Sequence, residues 1–359
     1  MADVYGVRIT PDDGGKSIIL DGSMRYASYL GSVSIAVNGG VSGSFKPQPA
    51  NSQALIVPRR LVTVFQGSAA SGPPMSFVNN IGFNGSNITF NIKTINGNTS
   101  AASEAAFVEV FSVAYASNPQ TQYGVRITNG ANFMEIGDAT YSGYVTYRGV
   151  VDINGQWNVP QSVIDLGNYV VFARWSNTET PLFMDRGTNS IRTYTSFGSG
   201  DGSVQGGFVG GVQVVIVSSG FIPALPASGY GMVIRNAAGQ ITYSSKYSPV
   251  MWPSAYYDFG GYENYDDSTG EVQAWINPTG SVSQPMVPLC SIGCQRGDFS
   301  RTSGNYTFRK CLLSGMKMSG NSVTTARAQS TFRDIALYQY PKAVQVACQL
   351  PCIDASYYF

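Results

Sequence analysis

The sequence predicts an all-β protein of three tandem β-sandwich-like domains, spanning residues 1–118, 119–226 and 227–359. Three observations lead there: a composition short of helix-forming charge, a string that occurs three times, and apolar runs of strand length. Charged residues make up only 12% of the 359, while Gly (41), Tyr (22) and Phe (18) are abundant. An exposed helix needs Glu, Lys and Arg on its solvent face, so the chain has little material for helices. It has ample material for strands and tight turns.

The repeated string begins each unit. Tyr5-Gly-Val-Arg-Ile-Thr10 recurs unchanged as Tyr123-Gly-Val-Arg-Ile-Thr128, and a degenerate copy runs Tyr230-Gly-Met-Val-Ile-Arg235. A turn follows each copy (Pro11–Gly15, Asn129–Asn132, Asn236–Gly239), then a short apolar strand (Ile18–Leu20, Phe133–Ile136, Ile241–Tyr243). Next comes a Tyr-bearing segment, Met24–Leu30, Tyr141–Tyr147 or Tyr247–Met251. Each unit therefore opens with a β-hairpin. Period-2 alternation turns Arg8 and Arg126 outward and predicts burial for Val7, Ile9, Val125, Ile127, Met232 and Ile234. On its own the hairpin needs no ligand, because any duplicated domain would keep it.

Further strands follow in order. Leu61–Phe65 and Asn87–Ile95 precede Phe107–Ala116, which closes the first unit, and Tyr169–Trp175 and Ile191–Thr195 precede Val212–Ser218, which closes the second. Asp334–Tyr340 closes the third, with a further apolar run at Ala343–Cys348. Ser117–Gln122 and Phe221–Gly229 read as linkers, and Gly67–Pro74 and Gly198–Gly207 as loops.

Several classes of function are set aside by what is missing. The net charge of +1 gives no field to draw in nucleic acid, and Arg59-Arg60 and Arg309-Lys310 are pairs, not patches. The most hydrophobic stretch, Val212–Val217, is strand-length, so no membrane insertion is expected. The sequence opening MADVYGVRIT has no apolar core of the kind a secretory signal carries, so synthesis in a cytoplasm is expected. With no histidine, Ser-His-Asp and Cys-His catalysis, His-ligated zinc and a histidine pH switch fall together. Gly14-Gly15-Lys16-Ser17 imitates the end of a phosphate loop, but Thr10 stands where that loop needs Gly.

Two clusters remain as candidate sites, both in the third unit. The run Tyr256–Asp267 mixes aromatic and acidic residues around Gly260-Gly261, with Trp252 and Trp275 on either side. Trp252, Tyr256, Tyr257, Asp258, Tyr262, Tyr265 and Asp266 are the candidate binding residues, since such rings offer rigid contact area. The run also reads as a solvated loop between strands, and its carboxylates leave glycan hydrolysis as a third reading. The five cysteines all follow residue 289. Cys290 and Cys294, with Cys348 and Cys352, share a four-residue spacing that places two thiols on one strand face, a candidate metal site. Buried free thiols and late-forming disulfides are the alternatives, and no other cofactor is expected.

The YG(V/M)-x-I opening, near the start of the chain and again in its interior, resembles small tail and tail-fibre proteins of siphophages that infect Gram-negative bacteria. The resemblance covers the opening of each unit. It implies a virion structural protein at the tail tip or fibre base, oligomeric in the particle, with other tail proteins as partners and no enzymatic activity. It also implies two alternatives: a receptor-binding protein touching a host surface glycan or protein through its C-terminal domain, and a tail depolymerase. A virion protein folds in the host cytoplasm without a signal peptide, which suits a Gly/Tyr-rich β-protein lacking one.

Overall fold

The computed structural model describes residues 6–10, 16–21, 25–49, 52–65, 74–95, 103–114, 124–129, 132–137, 141–196, 204–226, 231–264, 274–300, 307–335 and 343–359. Among these, every regular element is a strand except the short helix Gln161–Ile164 and the 3-10 turn Ala355–Tyr357, so the fold is all-β. None of the described helices is long and apolar enough to cross a membrane.

All three opening hairpins form. Gly6–Ile9 pairs with Ile18–Asp21, Gly124–Asn129 with Asn132–Gly137, and Val233–Arg235 with Ile241–Ser244, each as a separate two-stranded sheet. A lone hairpin is marginally stable, and these lie side by side, the second touching the strand Ile18–Asp21 of the first and the strand Ile241–Ser244 of the third. Ile234 is buried as expected, while Met232, also expected to be buried, is half-buried. Val7, however, is 37% exposed. A two-stranded sheet is too narrow to cover its whole apolar face. The side chains of Ile9, Val125 and Ile127 lie outside the described residues.

Beyond the hairpin, each segment repeats one strand plan. Ala27–Ala36 and Ser52–Arg60 flank Glu104–Ala114. Tyr144–Asn154 and Tyr169–Arg174 flank Phe208–Ser218 in the same way, as Ala255–Phe259 and Pro285–Pro288 flank Cys348–Asp354. The last strand of each segment thus sits between two earlier ones. It is apolar on both faces because both are covered: Ala105, Val108, Val110 and Val113 are all buried. In the third segment this place belongs to Cys348–Asp354 and not to Asp334–Tyr340, whose first two residues end the strand Ser322–Ile335 and whose remainder lies outside the described residues. Each segment also carries an inner hairpin: Met75–Asn84 with Asn87–Ile95, Asn177–Asp185 with Ser190–Ser196, and Thr307–Ser319 with Ser322–Ile335.

The three segments close on one another in a ring. Ala27 N donates to Val250 O (3.0 Å), Val250 N to Gly143 O (3.1 Å) and Gly143 N to Ala27 O (3.3 Å), so each segment bonds the next and the third returns to the first. The flanking pairs Tyr141↔Tyr29, Tyr144↔Pro249 and Tyr26↔Met251 extend the same cycle. One core cluster draws on equivalent strands of all three, through Leu55 and Val57, Val170 and Phe172, and Met286. The repeat units are therefore not sealed from one another. Tyr169–Arg174 pairs with Pro285–Pro288 and Asn177–Asp185 with Thr307–Ser319, so one sheet runs through the second and third segments across residue 226. The expected boundary at 118 falls in 115–123, outside the described residues.

Candidate binding clefts

The run Tyr256–Asp267 starts as two strands, Ala255–Phe259 and Tyr262–Asn264, not as a loop. Alternation along the first strand sends Ala255, Tyr257 and Phe259 into the core and leaves Tyr256 half-buried and Asp258 exposed. Tyr257 is fully buried, with its hydroxyl donating to Asn321 O at 2.8 Å, and Trp252 is 2% exposed, with its indole N–H donating to Ala255 O. Neither can meet a partner, which corrects two of the expected contact residues. They are core because strand pairing with Cys348–Asp354 covers one edge and the central cluster covers their face. Tyr265 and Asp266 lie outside the described residues.

Tyr256 and Asp258 do line a cleft of 660 Å³ between the first and third segments. Its other walls are the strand Ser52–Arg60, the bulged stretch Asn80–Phe83 of the strand Met75–Asn84, and Cys348–Pro351. Gln53 hydrogen-bonds the Tyr256 hydroxyl across this cleft. Half-buried Tyr262 belongs to the neighbouring strand, where Glu263 pairs with Lys93 of the first segment at 2.6 Å. The acidic and aromatic residues of the third segment thus serve in part to hold it against the first.

No disulfide joins any of the five cysteines; Cys290, Cys294, Cys311 and Cys352 are buried and Cys348 is half-buried. Cys348 and Cys352 share a face of one strand, as their spacing predicted, while Cys290 precedes the strand that carries Cys294. The four thiols do not gather: among the described residues no three Cys, Asp or Glu side chains are placed to hold a metal ion. Burial raises the thiol pKa values of Cys290 and Cys348, and burial followed by the charge of Asp354 pushes Cys352 up to about 12. Protonated thiols in an apolar core behave as small hydrophobes and make poor ligands.

Trp275 flanks the run without being among the expected contact residues, yet it is exposed where Trp252 is buried. At 43% exposed it borders a second cleft, of 520 Å³, with Thr178, Glu179, Lys317, Ser322 and Thr324. No local signal separates it from Trp252, because exposure here depends on which strand lies across from it.

The basic pair Arg59-Arg60 proves structural. Arg59 pairs with the fully buried Glu109 at 2.8 Å, and Arg60 pairs with Glu104. Glu109 also accepts from Tyr29 and Ser32, and Asn168 of the second segment donates to Ser32 at 2.8 Å and accepts from Arg59 at 3.0 Å.

No curated protein and no solved structure matches this chain. A family described as a family of unknown function (DUF6453) matches residues 6–339. That span is most of the chain, and the chain belongs to this family.

Proposed function

We propose that this member of the family is a non-enzymatic structural protein of a bacteriophage tail, seated at the tail tip or fibre base, where a single chain stands on a threefold axis. The observation that carries this reading is the ring of hydrogen bonds Ala27–Val250–Gly143, which sets three like units around one axis within one polypeptide. A homotrimer presents the same patch three times about its axis. Three fused units, each opening with its own hairpin, offer the matching set of surfaces, and the likeness of that opening to siphophage tail proteins supports the setting. The test is cryo-electron microscopy of intact particles, reconstructed without imposed symmetry. One copy of this chain for every three of its neighbour is expected; absence from the particle, or many copies along a tube, would sink the proposal.

A second reading, receptor contact through the third segment, is favoured by the cleft that Tyr256 and Asp258 line. Because sheet and core cross residue 226, it is tested in the full chain, with Tyr256→Ala and Asp258→Ala combined. A loss of adsorption to host cells supports contact there, and unchanged adsorption rules it out.

A further inference from the structure

We propose that the cleft beside Trp275 binds a neutral pyranose sugar, stacked by its C–H face on the indole ring. The backbone builds the site. Ile276 and Val323 exchange both hydrogen bonds, at 2.8 and 2.9 Å, an antiparallel bridge that lays the chain around residue 276 against the hairpin of Thr307–Ser319 and Ser322–Ile335. In that register Trp275 lies across from Thr324, and Asn277 across from Ser322, whose hydroxyl donates to Asn277 Oδ1 at 2.6 Å. Thr324 in turn faces Lys317 on its other side. A row of Trp275, Thr324 and Lys317 therefore runs from the bridged segment across the two strands of the hairpin.

The opposite wall comes from a bow in the neighbouring strand. Asn177 pairs with Met318 but Leu182 pairs with Met316, so residues 178–181 stand against a single residue and bulge outward. Asn177 Oδ1 holds the bow by accepting from the backbone of Glu179 and Thr180, both at 2.8 Å. Thr178 and Glu179 then face the row across a cleft of 520 Å³, within the range of small-ligand sites.

Three features of the lining ask for a ligand of this chemistry. Trp275 leaves a broad apolar face in water, while Trp175 and Trp252 are 3% and 2% exposed. Thr324 is only 5% exposed, yet among the described residues its hydroxyl has no hydrogen-bond partner, and buried polar groups are rarely left so. Glu179 and Lys317 border one cleft without an ion pair among the described residues, one an acceptor and the other a donor. A sugar ring carries an apolar C–H face and a rim of hydroxyls that both donate and accept, so it answers all three at once. Glu179 and Lys317 cancel in charge, which favours a neutral sugar over an acidic one. A nucleotide could stack on the indole, but among the described lining residues its phosphate would meet Glu179 with Lys317 alone to offset it. This site does not depend on where the chain sits in a particle.

The experiment titrates the full chain with methyl β-glucopyranoside, methyl β-galactopyranoside, N-acetylglucosamine, cellobiose and lactose, with N-acetylneuraminic acid as the acidic comparison. Tryptophan fluorescence and saturation-transfer NMR report binding. At least one neutral sugar is expected to bind through its ring protons. Trp275→Ala should weaken it by about tenfold or more, and Thr324→Val by about fivefold. Neither change should lower the melting temperature, since one removes an exposed ring and the other an unpartnered hydroxyl. No binding by any neutral sugar, binding undiminished in Trp275→Ala, or a preference for the acidic sugar would each overturn the proposal. So would a Trp275→Ala defect confined to binding another protein.

Discussion

Arg59 and Asp354 show how much single polar residues carry in a chain with few charges. Glu109 is buried completely, and Arg59, 17% exposed at its side chain, is its one cation within ion-pair distance among the described residues. Removing a partner leaves the other charge desolvated, so Arg59→Ala should destabilise by about 3 kcal/mol, read as a fall in the urea midpoint. Asp354 is satisfied differently. Burial alone would raise its pKa, but hydrogen bonds from Ser356 and Ser283 outweigh this and hold it below the usual carboxylate range. The stability it contributes is therefore present above the ordinary carboxylate pKa and is lost as pH falls through the depressed folded value. Asp354→Asn should cost about 2 kcal/mol at neutral pH, because the amide cannot accept every bond. The variant should then lose less than the parent on acidification, and equal acid sensitivity in the two would show that Asp354 is not responsible. Glu109 runs the other way: burial outweighs Arg59 and the Ser32 and Tyr29 hydrogen bonds and raises its pKa, so its contribution is greatest at low pH and declines as pH rises through that raised value.

At the scale of the element, the third opening hairpin offers a direct test of the repeat. Ile234 packs with Tyr26, Tyr144, Tyr243 and Met251, which come from all three segments. Ile234→Asp places an unpaired charge there and should destabilise by about 3 kcal/mol, measured by thermal unfolding; an unchanged melting temperature would mean the hairpin is not docked. These hairpins were legible because a repeated string, a turn and an apolar run coincide, so local pattern and tertiary pairing agree. The candidate site was legible only in part. Ala255, Tyr257 and Phe259 alternate with Tyr256 and Asp258, a period-2 signal present in the sequence but obscured by Gly260-Gly261, which marks the break between strands and not a flexible loop. For the cysteines, spacing correctly placed Cys348 and Cys352 on one face, but spacing says nothing about whether two strands meet face to face. The bow that makes the Trp275 cleft is a register mismatch between strands far apart in sequence, and no window along the chain contains it.

For the whole molecule, the sequence allowed the units to be counted but not their closure to be seen. The closing hydrogen bonds join backbone groups of Ala27, Gly143 and Val250, and a backbone N–H leaves no mark on residue identity. Only Gly143 hints at it, since a Cβ there would come within 2.9 Å of the Phe111 ring. Closure has a thermodynamic consequence. Were the units independent, fragments 1–226 and 227–359 would each fold. In the ring, the first fragment loses the partner of Ala27 N at Val250 O and the strand Pro285–Pro288 that pairs with Tyr169–Arg174. The second loses both neighbours of Val250 and the strand Asn177–Asp185 that pairs with Thr307–Ser319. Each would expose half of a core whose apolar side chains come from all three segments, and stability is a small difference between large terms. Neither fragment alone should show cooperative thermal unfolding by near-ultraviolet circular dichroism, whereas the two mixed after dilution from urea should recover the transition of the intact chain. Two sharp, independent transitions from the separate fragments would instead mean that each half holds its own core and that the ring adds contact without cooperativity.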